Sequence, residues 1–323
     1  MSLVLAATLA VVLHVTVVRS AQTDVVAEHL AAARAAAGDH HTRLLDFLCA
    51  EPEPPRSRLA GVTARPTPGV AEWHAEPAKV FDNLYFLGTT SLNAYAVTTS
   101  GGIVVIDPLY DYQVEDEVVG GLRKLGLDPA DITHVVVSHG HGDHYGGARY
   151  LQQRYGADVL LAAPDWDLML GNTRSAQAKP DRGGVVSDGQ ELQVGDTRII
   201  FTLTPGHTPG TVSTLVPVRD GGRVHVAALW GGTAMRPPVA ETYQQFAASA
   251  RKFRAIAEAA GADVIISNHD RFDEAHQKIA MLATRGTDEP HPYVLGSDAT
   301  LDYFDVVERC ALAGLARATG SPQ

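Results

Sequence analysis

The sequence predicts an α/β fold in which two sheets pack together with helices outside. Three observations point there. Two stretches, residues 80–164 and 191–270, are rich in short apolar runs bounded by turn residues. Each stretch also carries helical periodicity, so both halves mix strands with helices. One buried run, "ITHVVVSH", passes directly into a loop crowded with histidine, where a sheet scaffold places a site.

The chain has 323 residues, 45% apolar and 20% charged, enough for one large domain or at most two. Its 26 basic and 37 acidic side chains give a formal charge of −11. No Lys/Arg run stands out, which argues against a nucleic-acid partner.

Residues 1–21 read as a signal peptide or an N-terminal anchor. "SLVLAATLAVVLHVTVV" is an apolar run, and "RSAQT" offers a small-residue exit after Ser20 or Ala21. A positive n-region is missing apart from the amino terminus, and Arg19 sits beside the exit, so an uncleaved anchor is the alternative. Either way the expected location is periplasmic or secreted. No stable membrane association is expected once the leader is removed, because no other segment could cross a bilayer.

Residues 22–71 form an extension. "TDVVAEHLAAARAAAGDHHTRLLDFLC" has helical spacing, and "AEPEPPRSRLAGVTARPTPGV" is a Pro-rich linker. A compact domain is expected over residues 72–290. "VFDNLYFLG", "SLNAYAVTTS" and "GGIVVIDP" read as three strands, and "QVEDEVVGGLRKLGL" as an amphipathic helix ended by Gly126. After the strand "ITHVVVSH", "GGARYLQQRYG" is a helix, "ADVLLAAP" a strand and "DWDLMLGN" a short helix. "ELQVGDTRIIFTLTPG", "VSTLVPVRDGGRVHVAALW" and "ADVIISNHD" give further strands, with a long helix in "ETYQQFAASARKFRAIAEAAG". Residues 291–323 are a C-terminal helical segment. Cys49 and Cys310 are the only cysteines. In an oxidising compartment they could staple the N-terminal segment to the C-terminal helix, and two buried free thiols are the alternative.

The chemistry concentrates in "VVVSHGHGDHYGG". His139 and His141 can face one ion while Asp143 and His144 turn toward another, and Gly140 and Gly142 permit the tight backbone. His207 in "TLTPGHTPGT" and His269 in "VIISNHDRF" also follow strands and offer further ligands. His134, His225, His40, His41, His276 and His291 read as surface or satisfied core residues.

"SHGHGDH", "TPGHTPG" and "SNHD", in this order, resemble the metallo-β-lactamase-fold hydrolases over roughly residues 78–290. The resemblance implies an αββα sandwich of two mixed sheets and two zinc ions at one edge. Carried over by position, His139, His141 and His207 would bind the first zinc, and Asp143, His144 and His269 the second. Many members, lactonases among them, carry a bridging aspartate on a later strand. Here "HVAALWGGTAMRPP" has no carboxylate. Five histidines and one aspartate resemble the dizinc subclass with His-His-His and Asp-His-His sites, and no cysteine lies near them.

The chemistry so implied is attack on a carbonyl by a hydroxide held between two zincs, whose parent water has a pKa lowered toward ~7. Asp143 would both ligate and orient it, and Asp107 would orient a ligand histidine. Tyr110, Tyr112 and Trp166 are candidate walls of a substrate groove, with selectivity expected in the loops at residues 108–115, 164–187 and 231–240. The leading expectation is opening of an amide in a small molecule, with β-lactams first. Hydrolysis of another ester, lactone or thioester is second, and a zinc-binding module without turnover is third. The sequence does not set the oligomeric state.

Overall fold

The computed structural model describes residues 24–51 and 67–320. The leader reading, the end of the chain and most of the Pro-rich linker lie outside the described residues. The fold is an αββα sandwich. Its first sheet has seven strands in the order β1 to β7: Ala78–Phe81, Leu84–Phe86, Tyr95–Thr99, Gly102–Ile106, Ile132–Val136, Asp158–Ala162 and Gly184–Val186. Pairing is antiparallel through β4 and parallel from β4 to β7. The second sheet has five strands, β8 (Glu191–Val194), β9 (Thr197–Leu203), β10 (Val212–Asp220), β11 (Arg223–Trp230) and β12 (Val264–Ser267). Only β11 and β12 are parallel there. Both sheets are therefore mixed.

Two expectations need correcting at this level. "VFDNLYFLG" is not one strand but the hairpin β1–β2, turning at Asp82–Asn83. The short strand β7, inside a stretch expected to be loop, pairs with β6 and extends the first sheet. Local turn chemistry explains the regular parts. Gly221 and Gly222, with φ of 57° and 87°, join β10 to β11 in the two-residue turn that matches strand twist.

Helices cover both outer faces. On the first sheet lie a π-helical turn at Val114–Val119 running into α4 (Gly120–Lys124), then α6 (Ala148–Tyr155) and α7 (Ala163–Gly171). Between α4 and α6, α5 (Gly142–Tyr145) carries part of the His cluster. On the second sheet lie α1 (residues 24–37), α2 (Thr42–Leu48), α8 (Ala240–Ala259) and α11 (Ser297–Gly320). Short helices α3 (Val70–Trp73), α9 (Asp270–Asp273) and α10 (Ala275–Thr284) fill the flanks. The extension is thus part of a layer. Ala33, Ala37, Leu44 and Leu48 are buried against the α8–α11 side, and Cys49 is disulfide-bonded to Cys310.

Between the sheets, Phe86, Tyr95, Val104, Ile106, Phe201, Val216 and Leu229 form the central core. Parallel pairing of β4 with β5 and of β11 with β12 brings four strand C-termini to one edge. The loops that follow carry the polar cluster.

Candidate metal centre

Asp107 follows β4, His139 to His144 follow β5, His207 follows β9 and His269 follows β12. The structure brings six of these residues into two triads, His139–His141–His207 and Asp143–His144–His269, each with ligand atoms within 4.8 Å of one another.

In the first triad, Nδ1 of His139 donates to the Gly231 carbonyl at 2.8 Å, and Nδ1 of His207 to the Ala234 carbonyl at 2.6 Å. Those bonds leave the Nε2 lone pairs facing inward. Nε2 of His207 then lies 3.1 Å from Nε2 of His139 and 3.1 Å from Nδ1 of His141. Burial holds His139 and His141 below the usual imidazole range and pushes His207 down to about 4, so all three are neutral near pH 7. Opposed lone pairs at that distance repel. A cation between them turns the repulsion into coordination, so this donor set fits a metal ion.

The second triad carries a carboxylate. Asp143 Oδ2 lies 3.4 Å from Nε2 of His144 and 4.0 Å from Nε2 of His269. Burial opposes the charge on Asp143, but His144 and His269 hold its carboxyl well below the usual range. Burial pushes His269 down to about 4, leaving a neutral donor. Nδ1 of His144 donates to Asp107 Oδ2 at 2.9 Å, while its buried Nε2 has no hydrogen-bond partner. An orphaned, buried ring nitrogen aimed at a carboxylate is the second sign that the residues fit a metal.

Asp107 also accepts from the Ser138 backbone N–H and hydroxyl, both at 2.7 Å. Its backbone sits in the left-handed region at φ 54°, which Asp tolerates better than most residues and which functional sites retain. One supporting carboxylate escaped the sequence reading. Asp165 is fully buried and accepts from Gly140 N–H and Gly210 N–H at 2.7 Å and from the Thr208 hydroxyl at 2.6 Å. It clamps the loop of His139 and His141 to the loop of His207.

Trp166 is not a groove wall. It is fully buried on α7, and its Nε1 donates to the Gly184 carbonyl at 3.0 Å. Tyr110 and Tyr112 stack on each other at 5.3 Å near Asp143, and burial raises Tyr110 to about 12. Neither lines the cavity of about 550 Å³ over the triads. That cavity takes Thr233, Ala234 and Arg236 from the expected 231–240 loop, none from 108–115 or 164–187, and adds Arg43, Phe47, Arg271 and Phe272. Three of the other histidines have other partners: His225 meets Asp263, His276 the Thr89 carbonyl and His291 the Val80 carbonyl.

A two-sheet scaffold with paired His-rich triads at one edge defines a metallo-hydrolase. The family model of the metallo-beta-lactamase superfamily matches residues 87–221. An N-acyl homoserine lactonase, AttM, of Azorhizobium caulinodans is 30% identical over 185 residues, 51% of this chain and 69% of that protein. A probable polyketide biosynthesis zinc-dependent hydrolase, BaeB, of Bacillus velezensis is 28% identical over 113 residues, 35% of this chain and 44% of its own length. Among solved structures, the native metallo-β-lactamase FEZ-1 from Legionella gormanii aligns over 76% of this chain and 97% of its own, with TM-score 0.64 and 22% identity. BJP-1, a subclass B3 metallo-β-lactamase of Bradyrhizobium japonicum, aligns over 76% and 95%, with TM-score 0.61 and 25% identity. The chain belongs to the metallo-β-lactamase superfamily of hydrolases.

Proposed function

We propose that this chain is an exported dizinc hydrolase that opens the amide of a β-lactam or a chemically similar small molecule. The observation that carries the reading is the end of β11. A bridging carboxylate there would need a side chain at Gly231 or Gly232. A Cβ on Gly231 would lie 1.9 Å from the Val212 carbonyl oxygen, and one on Gly232 would lie 2.4 Å from Cβ of His207. Neither position has room for a side chain, which supports a ligand set of five histidines and one aspartate. The donor chemistry of imidazole and carboxylate favours zinc.

Two zinc ions, when bound, would polarise the carbonyl and make water acidic enough to attack near neutral pH. His139, His141 and His207 would hold one ion through neutral nitrogens, and Asp143, His144 and His269 the other. Asp143 stays ionised and offers an oxygen that can accept a proton from an attacking water. Asp107 keeps the His144 ring aimed, and Asp165 keeps the two loops of the first triad in register. The apolar leader and the Cys49–Cys310 bond favour export.

Lactone hydrolysis is the second reading, favoured by the likeness to AttM. Purified full-length chain, with and without added zinc, would be offered a penicillin, a carbapenem, an acyl-homoserine lactone and a thioester. Turnover of the penicillin or carbapenem well above the others is expected, with two zincs per chain. Turnover of the lactone alone would replace the amide reading, and no turnover by the two-zinc protein would overturn the hydrolase reading.

A further inference from the structure

The cavity over the triads has a wall that does not come from the stretch matched by the family model. Helix α2, residues Thr42–Leu48, lays Arg43 and Phe47 against it. The helix is firmly seated: Leu44 and Leu48 are buried on its other face, and the next residue, Cys49, is bonded to Cys310 of α11. Its cavity side is left available. The Arg43 side chain is 49% exposed and meets Asp270 and Glu274 only at 3.7 and 3.8 Å. Most of its five donors remain open at those distances.

Phe47 joins the wall to the metal ligands. Its ring meets Phe272 edge-on at 5.1 Å, and Phe272 in turn meets the His269 ring at 6.0 Å. The Arg271 guanidinium lies 5.1 Å from the centre of the Phe47 ring. Arg236, on the β11 side of the cavity, and Arg271 have no carboxylate within ion-pair distance among the described residues. Three arginines around one cavity run against a chain whose formal charge is −11. Arginine forks match carboxylates, and a flat ring offers contact at little entropic cost.

We propose that α2 is the specificity wall of this enzyme: Arg43 and Phe47 contact the non-reacting part of the substrate and select an anion that carries an apolar or aromatic group. The Cys49–Cys310 bond holds the wall against α11. This deepens the hydrolase reading and rests on it for the location of the reacting bond.

The test uses the full-length, zinc-loaded chain and a probe that needs no turnover. 2-Mercapto-3-phenylpropionate carries a thiolate for the metals, a carboxylate and a phenyl ring, and 2-mercaptoethanol is the control lacking both of the latter. Calorimetry should find Arg43→Ala and Phe47→Ala each weakening the probe at least fivefold, with the control within twofold and zinc content unchanged. Arg43 is exposed, so Arg43→Ala should keep its melting temperature. Phe47 is half-buried against the α8–α11 core, so Phe47→Ala should melt lower. Its probe affinity is read well below that transition, with Phe47→Leu as the variant that keeps the packing. Unchanged probe affinity in both variants, or a wild-type protein that does not bind the probe, overturns the wall. If probe affinity falls as expected while no member of the substrate panel is hydrolysed, the wall stands and the hydrolase reading fails. If a penicillin is hydrolysed with the same KM in wild type and both variants, the wall fails and the hydrolase reading stands.

Discussion

The first triad is a set of neutral imidazoles oriented by backbone carbonyls, whereas the second carries a carboxylate and is oriented by another. His139 and His207 lean on Gly231 and Ala234, which cannot change charge. His144 leans on Asp107, and its other nitrogen faces Asp143. Provenance differs too: the first triad is clamped by one buried residue, Asp165, between two loops. The second depends on His269, delivered by the last strand of the other sheet. One sheet edge therefore holds two sites that share a loop but not a charge, and removing a part should damage them unequally.

Deleting a ligand from each side gives the largest effect. His139→Ala should abolish measurable turnover, because the first site falls to two donors and its buried neighbours lose their fixed frame. His269→Ala should keep one zinc per chain and lose most turnover, with added zinc restoring part of it. Metal analysis after dialysis checks both. Two zincs retained at unchanged affinity in the His269 variant would mean that another residue completes the second site.

The supporting carboxylates should separate the sites more gently. Asp107→Asn places an amide N–H₂ against His144 Nδ1–H or the Ser138 donors, and should weaken the second zinc by about 10–100-fold. Asp165→Asn sets the same conflict at Gly140, Gly210 and Thr208, and should weaken the first zinc by a similar factor. Zinc titration with a competing chelator reads both constants. Equal losses at both sites in either variant would show that the loops move as one body.

The ligands were legible because five of the six lie in short runs whose glycines and strand-end positions announce a site. Asp107 was legible for the same reason, ending "GGIVVID". Asp165 was not, since its partners stand 25 to 45 residues away and no local spacing marks it. Trp166 misled because an aromatic on a short helix near a site reads the same whether it faces sheet or solvent. It sits one turn from Met169, and both are buried under the first sheet. The cavity wall from α2 was invisible in "TRLLDFL", whose Leu44 and Leu48 announce a buried face but not what the opposite face meets. Two sheets with outer helices followed from alternation of runs, while β7 and the β1–β2 hairpin were too short to stand out.

The smallest effect is a difference in proton linkage. Burial alone would depress His144, but Asp143 and Asp107 outweigh it and raise the ring from 6.5 to about 10. Without metal, His144 therefore keeps its proton through neutral pH. Nδ1–H is committed to Asp107, so Nε2 carries the proton that a metal must displace. Affinity at the second site should rise with pH, by up to about tenfold per unit between pH 7 and 9. The imidazoles of the first triad are already neutral there, and its affinity should stay flat. The same shift acts on the metal-free fold. A histidine whose folded pKa exceeds its unfolded value stabilises fully below pH 6.5, and that contribution is lost as pH rises toward about 10. Chelator-competition titrations at pH 7, 8 and 9 decide it. Parallel slopes at the two sites would mean that His144 is already neutral, with Asp107 setting its ring but not its charge.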